Sequence, residues 1–125
     1  MTNEIWKPLT EYKFYNGRVL DGSERIEVSN QGRVRYSDSK KLRKPIPKGT
    51  NAGQIENKYL CIWFKSKETG IQHWLRVHRA VASMFVPGYE PGLEIDHIDD
   101  DYLNNEASNL RWVTRQENMK DRCKS

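Results

Sequence analysis

Residues 94–101, with the sequence EIDHIDDD, place one histidine among five acidic residues. Imidazole titrates near neutral pH, and nearby carboxylates favour a basic ring, so His97 is a candidate general base. The adjacent Asp96 offers a hard oxygen ligand of the kind that Mg²⁺ takes in small numbers, with water and a substrate phosphate completing its coordination. A base beside such a cation predicts metal-assisted hydrolysis of a phosphodiester.

A solvated acidic loop or a weak calcium site is the plainer interpretation of these carboxylates. An EF-hand needs acidic or oxygen-bearing residues at alternating positions and a glutamate at position twelve. With Asp99 as position one, Leu103 stands at position five and Leu110 at position twelve. The pattern does not fit an EF-hand, and a calcium-binding loop stays a third alternative.

Two asparagines further along the chain could complete such a site. The side-chain carbonyl of Asn109 could hold one ring nitrogen of His97 and fix its tautomer. The amide oxygen of Asn118 is a second hard donor that could join Asp96 around Mg²⁺.

The C-terminal third must bring these four residues together. The segment GLEIDHI predicts a short strand, DDDYLNNEASN a polar loop, and LRWVT a second strand with Leu110 and Trp112 inward. Thr114 and Glu117 form a capping box, so a helix is expected from Arg115 to about Arg122. In such a ββα unit the helix packs across the hairpin, which would return Asn118 to the Asp96 end.

The preceding segments predict two more hairpins and a helix. Residues 25–37 alternate around the turn NQGR, which puts Arg33 and Arg35 on one face of the second strand. Tyr59–Phe64 and Ile71–Val77 predict another hairpin around KSKETG. HRAVASMFV has helical spacing and ends before Pro87, whereas 37–53, rich in Pro, Gly and basic residues, is expected to be an irregular basic loop.

The charge of the chain is segregated. Residues 25–80 hold thirteen Lys and Arg against four acids, and residues 81–110 hold seven acids and no Lys or Arg. A basic surface attracts polyanions, although a solvated face is about as consistent with charge alone, and a divalent cation would reverse the sign of the acidic segment. The candidate DNA contacts are Arg33, Arg35, Lys40, Lys41, Arg43, Lys44, Arg111 and Arg115.

Length and composition set the remaining expectations. With 125 residues and a net charge of +4, the chain is expected to form one compact unit. Cys61 and Cys123 are 62 positions apart with no further ligand at zinc spacing, so no structural zinc is expected. No apolar run approaches about 20 residues and no signal segment is evident, so we expect a cytoplasmic protein without a membrane span.

The segments VHRAVASMFVPG and LEIDHIDDDYLNNEASNLRWVTRQENMK resemble the HNH (ββα-metal) endonuclease core of phage and intron-encoded homing endonucleases. The N-terminal segments IWKPL and RIEVSNQGRVRYS resemble the small β module that precedes this core in that family. The resemblance implies that Asp96 and Asn118 are metal ligands, that His97 activates water, and that Asn109 orients His97. The chain departs from the family at Asp100, where a glycine is usual.

We therefore expect an α+β protein with N-terminal antiparallel β-hairpins followed by a ββα-metal (HNH) nuclease core. The expected division is a DNA-contacting β module and basic loop in residues 1–58 and an HNH core in 59–125, with the ββα motif at about 93–122. The expected function is Mg²⁺- or Mn²⁺-dependent hydrolysis of double-stranded DNA by a phage-encoded monomer or homodimer in the bacterial host cytoplasm. The alternative is a non-enzymatic DNA-binding module that retains the HNH fold.

Overall fold

The structure, a computed structural model, describes residues 3–10, 25–49, 58–66, 68–70 and 72–122. Within these residues the predicted α+β class is confirmed. The strands pair antiparallel, one helix lies between strands in the chain, and a second helix follows the last strand. The strands are β1 (Trp6–Pro8), β2 (Ile26–Ser29), β3 (Val34–Tyr36), β4 (Leu42–Arg43), β5 (Ile46–Gly49), β6 (Lys58–Lys65), β7 (Gln72–Arg76), β8 (Glu94–His97) and β9 (Leu110–Val113). The helices are α1 (Val77–Phe85) and α2 (Arg115–Arg122), and a short 3-10 helix spans Ala107–Asn109.

The first sheet has the order β1-β2-β3-β4. Its central pair is the hairpin predicted for residues 25–37, with Val28 opposite Val34 and Ile26 opposite Tyr36. The turn closes where Gly32 N–H donates to the Ser29 carbonyl at 3.0 Å. Gly32 has φ +82°, a left-handed conformation that glycine adopts without steric cost.

The segment after this hairpin is more ordered than the sequence suggests. Its prediction as an irregular basic loop is wrong, because β4 pairs with β3 and β5 pairs with β6. Both strands are short and lie at the edge of a sheet, where proline and lysine are tolerated. Residues 50–53 of this segment lie outside the described residues.

The second sheet, β5-β6-β7, contains the second predicted hairpin, with Ile62 opposite Leu75 and Trp63 opposite Trp74. The expected first residue of its second strand, Ile71, lies outside the described part of the chain. Strand β7 runs directly into α1, which is confirmed as the predicted core helix: Val77 and Val81 are completely buried. α1 thereby joins the second sheet to the core.

One apolar core links the first sheet, the second sheet and the ββα unit. Its members include Val28 and Val34 from the first sheet, Ile62 and Leu75 from the second, and Leu110 from β9. The expected division of the chain falls after residue 58. Strand β5 lies before this boundary but pairs with β6, which lies almost entirely after it. The division at 58 is not tested by this arrangement and stays a prediction.

The ββα unit has the predicted order of elements. β8 and β9 are antiparallel, with Ile95 opposite Trp112 and His97 opposite Leu110. α2 begins with the predicted capping box: Glu117 N–H donates to Oγ1 of Thr114 at 3.1 Å, and Thr114 N–H donates to Oε1 of Glu117 at 3.1 Å. None of the helices in the described residues is long and apolar enough to cross a membrane.

Candidate functional site

His97 is the last residue of β8, and its ring is buried among aromatic side chains. It is 4% exposed, and its ring centroid lies 5.1 Å from that of His78 and 5.6 Å from that of Tyr102. Nε2 of His97 lies 3.0 Å from Oδ1 of Asn105. The candidate base is therefore fixed in a packed pocket, and its ring contacts the Asn105 amide.

Asn109, the expected orienting residue, has a different set of contacts. Its Oδ1 accepts from the backbone N–H of Asp99 at 3.0 Å, and its Nδ2 donates to Oδ1 of Asp99 at 2.8 Å and to the carbonyl of Asn104 at 2.9 Å. The expectation that this amide bonds the ring of His97 is therefore not met in the structure. Asn109 holds the loop that follows β8, and the ring contact belongs to Asn105.

Asp96 precedes His97 and is largely buried. Its Oδ2 accepts a hydrogen bond from Nε of Arg111 at 2.8 Å across the β8–β9 hairpin, where the two residues are directly paired. Arg111, expected to hold a phosphate, is thus an ion-pair partner of the candidate metal ligand.

Asn118 is brought back over β8 by α2, as predicted. Its Nδ2 donates to Oε1 of Glu94 at 3.0 Å, so the amide orientation is set and Oδ1 is the atom left to bind a cation. Asn118 and Asp96 line the same small cavity as His97, together with Tyr59, Asp100 and Tyr102. The structure therefore gathers three of the four predicted site residues around one space.

The donor set of this cavity fits a magnesium-type ion. The expected ligands, Asp96 and Asn118, offer one carboxylate and one amide oxygen, which are hard ligands, and they leave most coordination positions to water and substrate. Among the described residues no group of three or more His, Cys, Asp or Glu converges on a metal-sized space.

The three aspartates after His97 divide into different roles. Hydrogen bonds from the Asn104 side chain, the Asp101 backbone and the Asn109 side chain lower the pKa of Asp99, which organises the loop. Asp101 accepts from the backbone N–H of Leu103 at 3.0 Å and closes a turn. Asp100 faces the candidate cavity and adopts φ +62°, the conformation that the family's usual glycine favours.

His78, in the first turn of α1, lies beside the site. It is 5% exposed and stacks on Tyr59 with ring centroids 4.7 Å apart. Burial lowers the pKa of His78 well below its usual range, and the charge of His97 lowers it further. The ring of His78 is therefore neutral and packs against the candidate base.

The candidate DNA-contacting residues of the first sheet are partly engaged within the protein. Arg35 and Lys40 both pair with the buried Glu27, at 2.6 and 3.0 Å, and Arg33 pairs with Glu4 at 2.9 Å. The guanidinium groups of Arg33 and Arg35 both lie over the ring of Trp6, which confirms that they share one face. These pairs fix the direction in which the two arginines point.

The remaining basic candidates lie elsewhere on the surface. Arg43 donates to the Trp63 carbonyl at 2.6 Å and lies over the rings of Tyr36 and Trp63. Lys41, Lys44 and Arg115 are exposed. They are available to solvent and to a ligand, whereas Arg43 is oriented by its aromatic neighbours.

Sequence reasoning missed the residues that surround His97. Asn105 contacts the ring directly, and Tyr59 and Tyr102 enclose it. The pair Asn104-Asn105 was assigned to loop-forming chemistry, and nothing in its sequence context separates the amide that holds the loop from the amide that meets the histidine. A buried amide at this point of the loop is visible only in three dimensions.

Comparison with known proteins places this site in a family. Residues 75–120 match the family model described as HNH endonuclease. The chain is 31% identical over 119 residues to the uncharacterized HNH endonuclease L247 of Acanthamoeba polyphaga mimivirus, covering 94% of this chain and 25% of that protein. It is 39% identical over 97 residues to the DNA endonuclease I-HmuI of Bacillus phage SP01, covering 76% of this chain and 49% of that protein.

A solved structure gives the same result in three dimensions. The structure described as DNA binding and cleavage by the HNH homing endonuclease I-HmuI matches with a TM-score of 0.72 and 32% identity, covering 95% of this chain and 57% of that chain. The chain thus spans about half of I-HmuI and a quarter of the mimivirus protein. The residues that match the family model include Asp96, His97 and Asn118, and the chain belongs to the HNH endonuclease family.

Proposed function

We propose that this protein is a divalent-metal-dependent endonuclease that hydrolyses DNA phosphodiester bonds, with His97 as general base. The observation that carries the proposal is that Asp96, His97 and Asn118 line one cavity. A buried imidazole beside two hard oxygen ligands is an arrangement suited to activating water against a phosphate. The similarity to I-HmuI, whose structure is described as one of DNA binding and cleavage, supports the same class of substrate.

Each residue has a separate role in this proposal. His97 takes a proton from the attacking water, and its packing against His78 and Tyr102 prevents the ring from rotating away. Asp96 and Oδ1 of Asn118 would hold the divalent cation, which would supply positive charge for the negative charge that develops on the phosphate and on the leaving 3′ oxygen. Asn109 keeps the loop at Asp99 in place, so its contribution reaches the site through the backbone of that loop.

Binding of the duplex is assigned to the basic residues of the first sheet and the segment after it. Lys41 and Lys44 are exposed, and Arg33 and Arg35 lie on one face of the first sheet. Arg111, which pairs with Asp96 of the cavity lining, and Arg115, which is exposed at the start of α2, would position phosphates. The proposed partner is double-stranded DNA.

The finer features of the activity follow from the same chemistry. Mg²⁺ or Mn²⁺ is the proposed ion because the ligand set is small and built from oxygen. Attack by water with a 3′ oxygen leaving group gives 5′-phosphate and 3′-hydroxyl ends, and a monomer with one site nicks one strand. The relationship to a protein of Bacillus phage SP01 supports a phage-encoded enzyme that acts in a bacterial cytoplasm.

End-mapping of products on a long duplex tests the proposal. The DNA is incubated with the protein and Mg²⁺, Mn²⁺ or EDTA, and both strands are sequenced from their ends. Breaks with 5′-phosphate ends in either metal and none in EDTA are expected. Salt-sensitive binding without breaks in any metal would instead identify the non-enzymatic DNA-binding module, and calcium binding without DNA binding would identify a calcium loop.

A further inference from the structure

Asn105 is a buried amide whose side chain contacts the candidate base. It is 4% exposed, its Oδ1 lies 3.0 Å from Nε2 of His97, and its Nδ2 is buried without a hydrogen-bond partner in the described part of the chain. An amide oxygen can only accept a hydrogen bond. The contact therefore requires that the hydrogen of a neutral His97 ring be on Nε2, which leaves Nδ1 with its lone pair.

The backbone around Asn105 is held from outside the ββα unit. A Cβ built on Gly32 would lie 2.8 Å from both the carbonyl carbon and the carbonyl oxygen of Asn105, closer than real Cβ atoms approach. Two residues further on, the N–H of Ala107 donates to the Asn30 carbonyl at 2.8 Å. The turn between β2 and β3 is thus in contact with the loop at the position where that loop meets His97.

We propose that Asn105 is a positioning residue that fixes the Nε2–H tautomer of His97 and that the β2–β3 turn, through Gly32 and Asn30, holds Asn105 in place. The inference rests on the proposed function, in which His97 is the base, and it identifies Nδ1 as the nitrogen that takes the proton. Among the described residues Nδ1 of His97 has no hydrogen-bond partner, and His97 lines the candidate cavity. It also gives the N-terminal β module a role in the active site beyond contact with DNA.

The alternative tautomer shows why the contact matters. With the hydrogen on Nδ1, the Nε2 lone pair would face the Asn105 oxygen, and two acceptors would meet inside a buried pocket. Nδ1 would then carry the hydrogen and be a donor, so it could not accept a proton from water. Loss of Asn105 removes the preference for the Nε2–H tautomer without removing the base itself.

Long-range ¹H–¹⁵N correlation spectra of the imidazole groups test the proposal directly. They are recorded on the full chain without metal or DNA, in alkaline buffer where imidazole rings are neutral. In the wild type the His97 hydrogen is expected on Nε2, and in Asn105→Ala a mixture of tautomers is expected. Asn104→Ala is the matched control, because the Asn104 side chain bonds Asp99 and not the ring, and it should give the wild-type spectrum.

A wild-type ring with its hydrogen on Nδ1, or an unchanged tautomer in Asn105→Ala, would overturn the assignment. Asn105→Asp keeps an acceptor at the same place and should retain the Nε2–H tautomer, so it tests the proposal even where the alanine variant does not fold. These spectra require no cleavage. A tautomer fixed by Asn105 in a protein that never cuts DNA would refute the proposed function and leave this inference standing.

Single-turnover kinetics then separate positioning from binding. Asn105→Ala is expected to lower the cleavage rate about 10- to 100-fold with unchanged KM for DNA, the size found for residues that orient a functional histidine. Asn105→Asp is expected to restore most of the rate. A rise in KM with an unchanged rate would place Asn105 in DNA binding and contradict the positioning role.

Gly32→Ala tests whether the β2–β3 turn holds Asn105 in place. The added methyl group meets the Asn105 backbone, and φ +82° adds strain, so a partial loss of the Nε2–H tautomer and a slower cleavage rate are expected. Gly70→Ala is the matched control, since Gly70 also has a positive φ, +70°, but nothing lies within 4 Å of an added Cβ. Equal effects of the two substitutions on the His97 spectrum would exclude a specific role for the turn.

Discussion

Nε of Arg111 donates to Oδ2 of Asp96 at 2.8 Å, so a cation of the protein partly neutralises the carboxylate assigned to the metal. The two residues are paired across the β8–β9 hairpin, which keeps the guanidinium beside the cavity. Arg111 is about half exposed, with 48% of its side chain accessible. A dication and this guanidinium therefore compete for the same carboxylate.

Arg111→Ala is expected to strengthen Mn²⁺ binding in the absence of DNA. Arg111 is half exposed, and the range of about 0.2–1 kcal/mol for exposed ion pairs corresponds to an increase in Mn²⁺ affinity of about fivefold at most. Titration calorimetry measures the Mn²⁺ affinity of the variant. Arg115→Ala is the control, because it removes an equal charge from the start of α2. Weaker Mn²⁺ binding in Arg111→Ala would show that the arginine assists the metal site rather than competing with it.

Asp100 occupies the left-handed conformation, with φ +62°. Non-glycine residues pay about 1–2 kcal/mol there, less for aspartate, so Asp100→Gly should be more stable to urea than Asp100→Ala by about 1 kcal/mol. Asp100→Asn keeps the shape and removes only the charge that faces the cavity. If the alanine and glycine variants unfold at the same urea concentration, the loop does not have this conformation.

Glu27 makes the stability of the first sheet depend on pH. Burial alone would raise its pKa, but the hydrogen bonds and charges of Arg35 and Lys40 outweigh burial and lower the pKa below 4.5. Because the folded state holds the carboxylate charged, this stabilisation is complete above pH about 4.5 and is lost as the pH falls through the lowered folded value. Urea unfolding between pH 7 and 3 should therefore show a stability difference between wild type and Glu27→Gln that shrinks in acid. A difference independent of pH would contradict these ion pairs.

The capping box at Thr114 connects helix stability with the metal site. Thr114→Ala should destabilise α2 by about 1 kcal/mol, because the N–H of Glu117 loses its acceptor. Since α2 carries Asn118, faster hydrogen exchange of the Asn118 amide and weaker Mn²⁺ binding are expected together. Thr114→Ser keeps the hydroxyl and should behave as wild type. Weaker Mn²⁺ binding with unchanged exchange would mean that Thr114 acts on the site by another route.

The basic residues should separate into DNA contacts and structural partners. Lys41→Ala and Lys44→Ala should each reduce the slope of log K against log salt by about 0.9 without changing Tm, if each side chain meets one phosphate. Arg35→Ala should in addition lower stability by about 1–3 kcal/mol, because it leaves the buried Glu27 with one partner fewer. Fluorescence anisotropy at several salt concentrations and thermal unfolding give the two quantities. An unchanged Tm in Arg35→Ala would assign that arginine to DNA alone.

Local signals predicted most of the fold. Some strand and helix ends are set by residues next to them. These are the turn at Asn30 to Arg33, the capping box at Thr114 and the helix end before Pro87, and the elements beside them were predicted correctly. Strands β4 and β5 were not found, because their sequence favours a loop and their extended conformation comes from pairing with β3 and β6. Only tertiary structure supplies those partners.

In the site, too, local signals predicted some features and tertiary contacts decided others. The expected return of α2 over β8 placed Asn118 beside Asp96, because a ββα unit has few ways to pack. The partner of His97 was assigned to Asn109 instead of Asn105, since which of two nearby loop amides faces the ring depends on contacts with Gly32 and Asn30, about 75 positions earlier in the chain. No local pattern contains that information.

The single-turnover rate of plasmid nicking in His97→Ala tests the central proposal most directly. With saturating Mn²⁺ and enzyme, loss of the base should lower the rate about 100- to 10,000-fold while the affinity for DNA is retained. His73→Ala, which removes a histidine on β7 that stacks on Phe64, should cut at the wild-type rate. A His97→Ala protein that cuts as fast as the wild type would contradict the assignment of His97 as the general base.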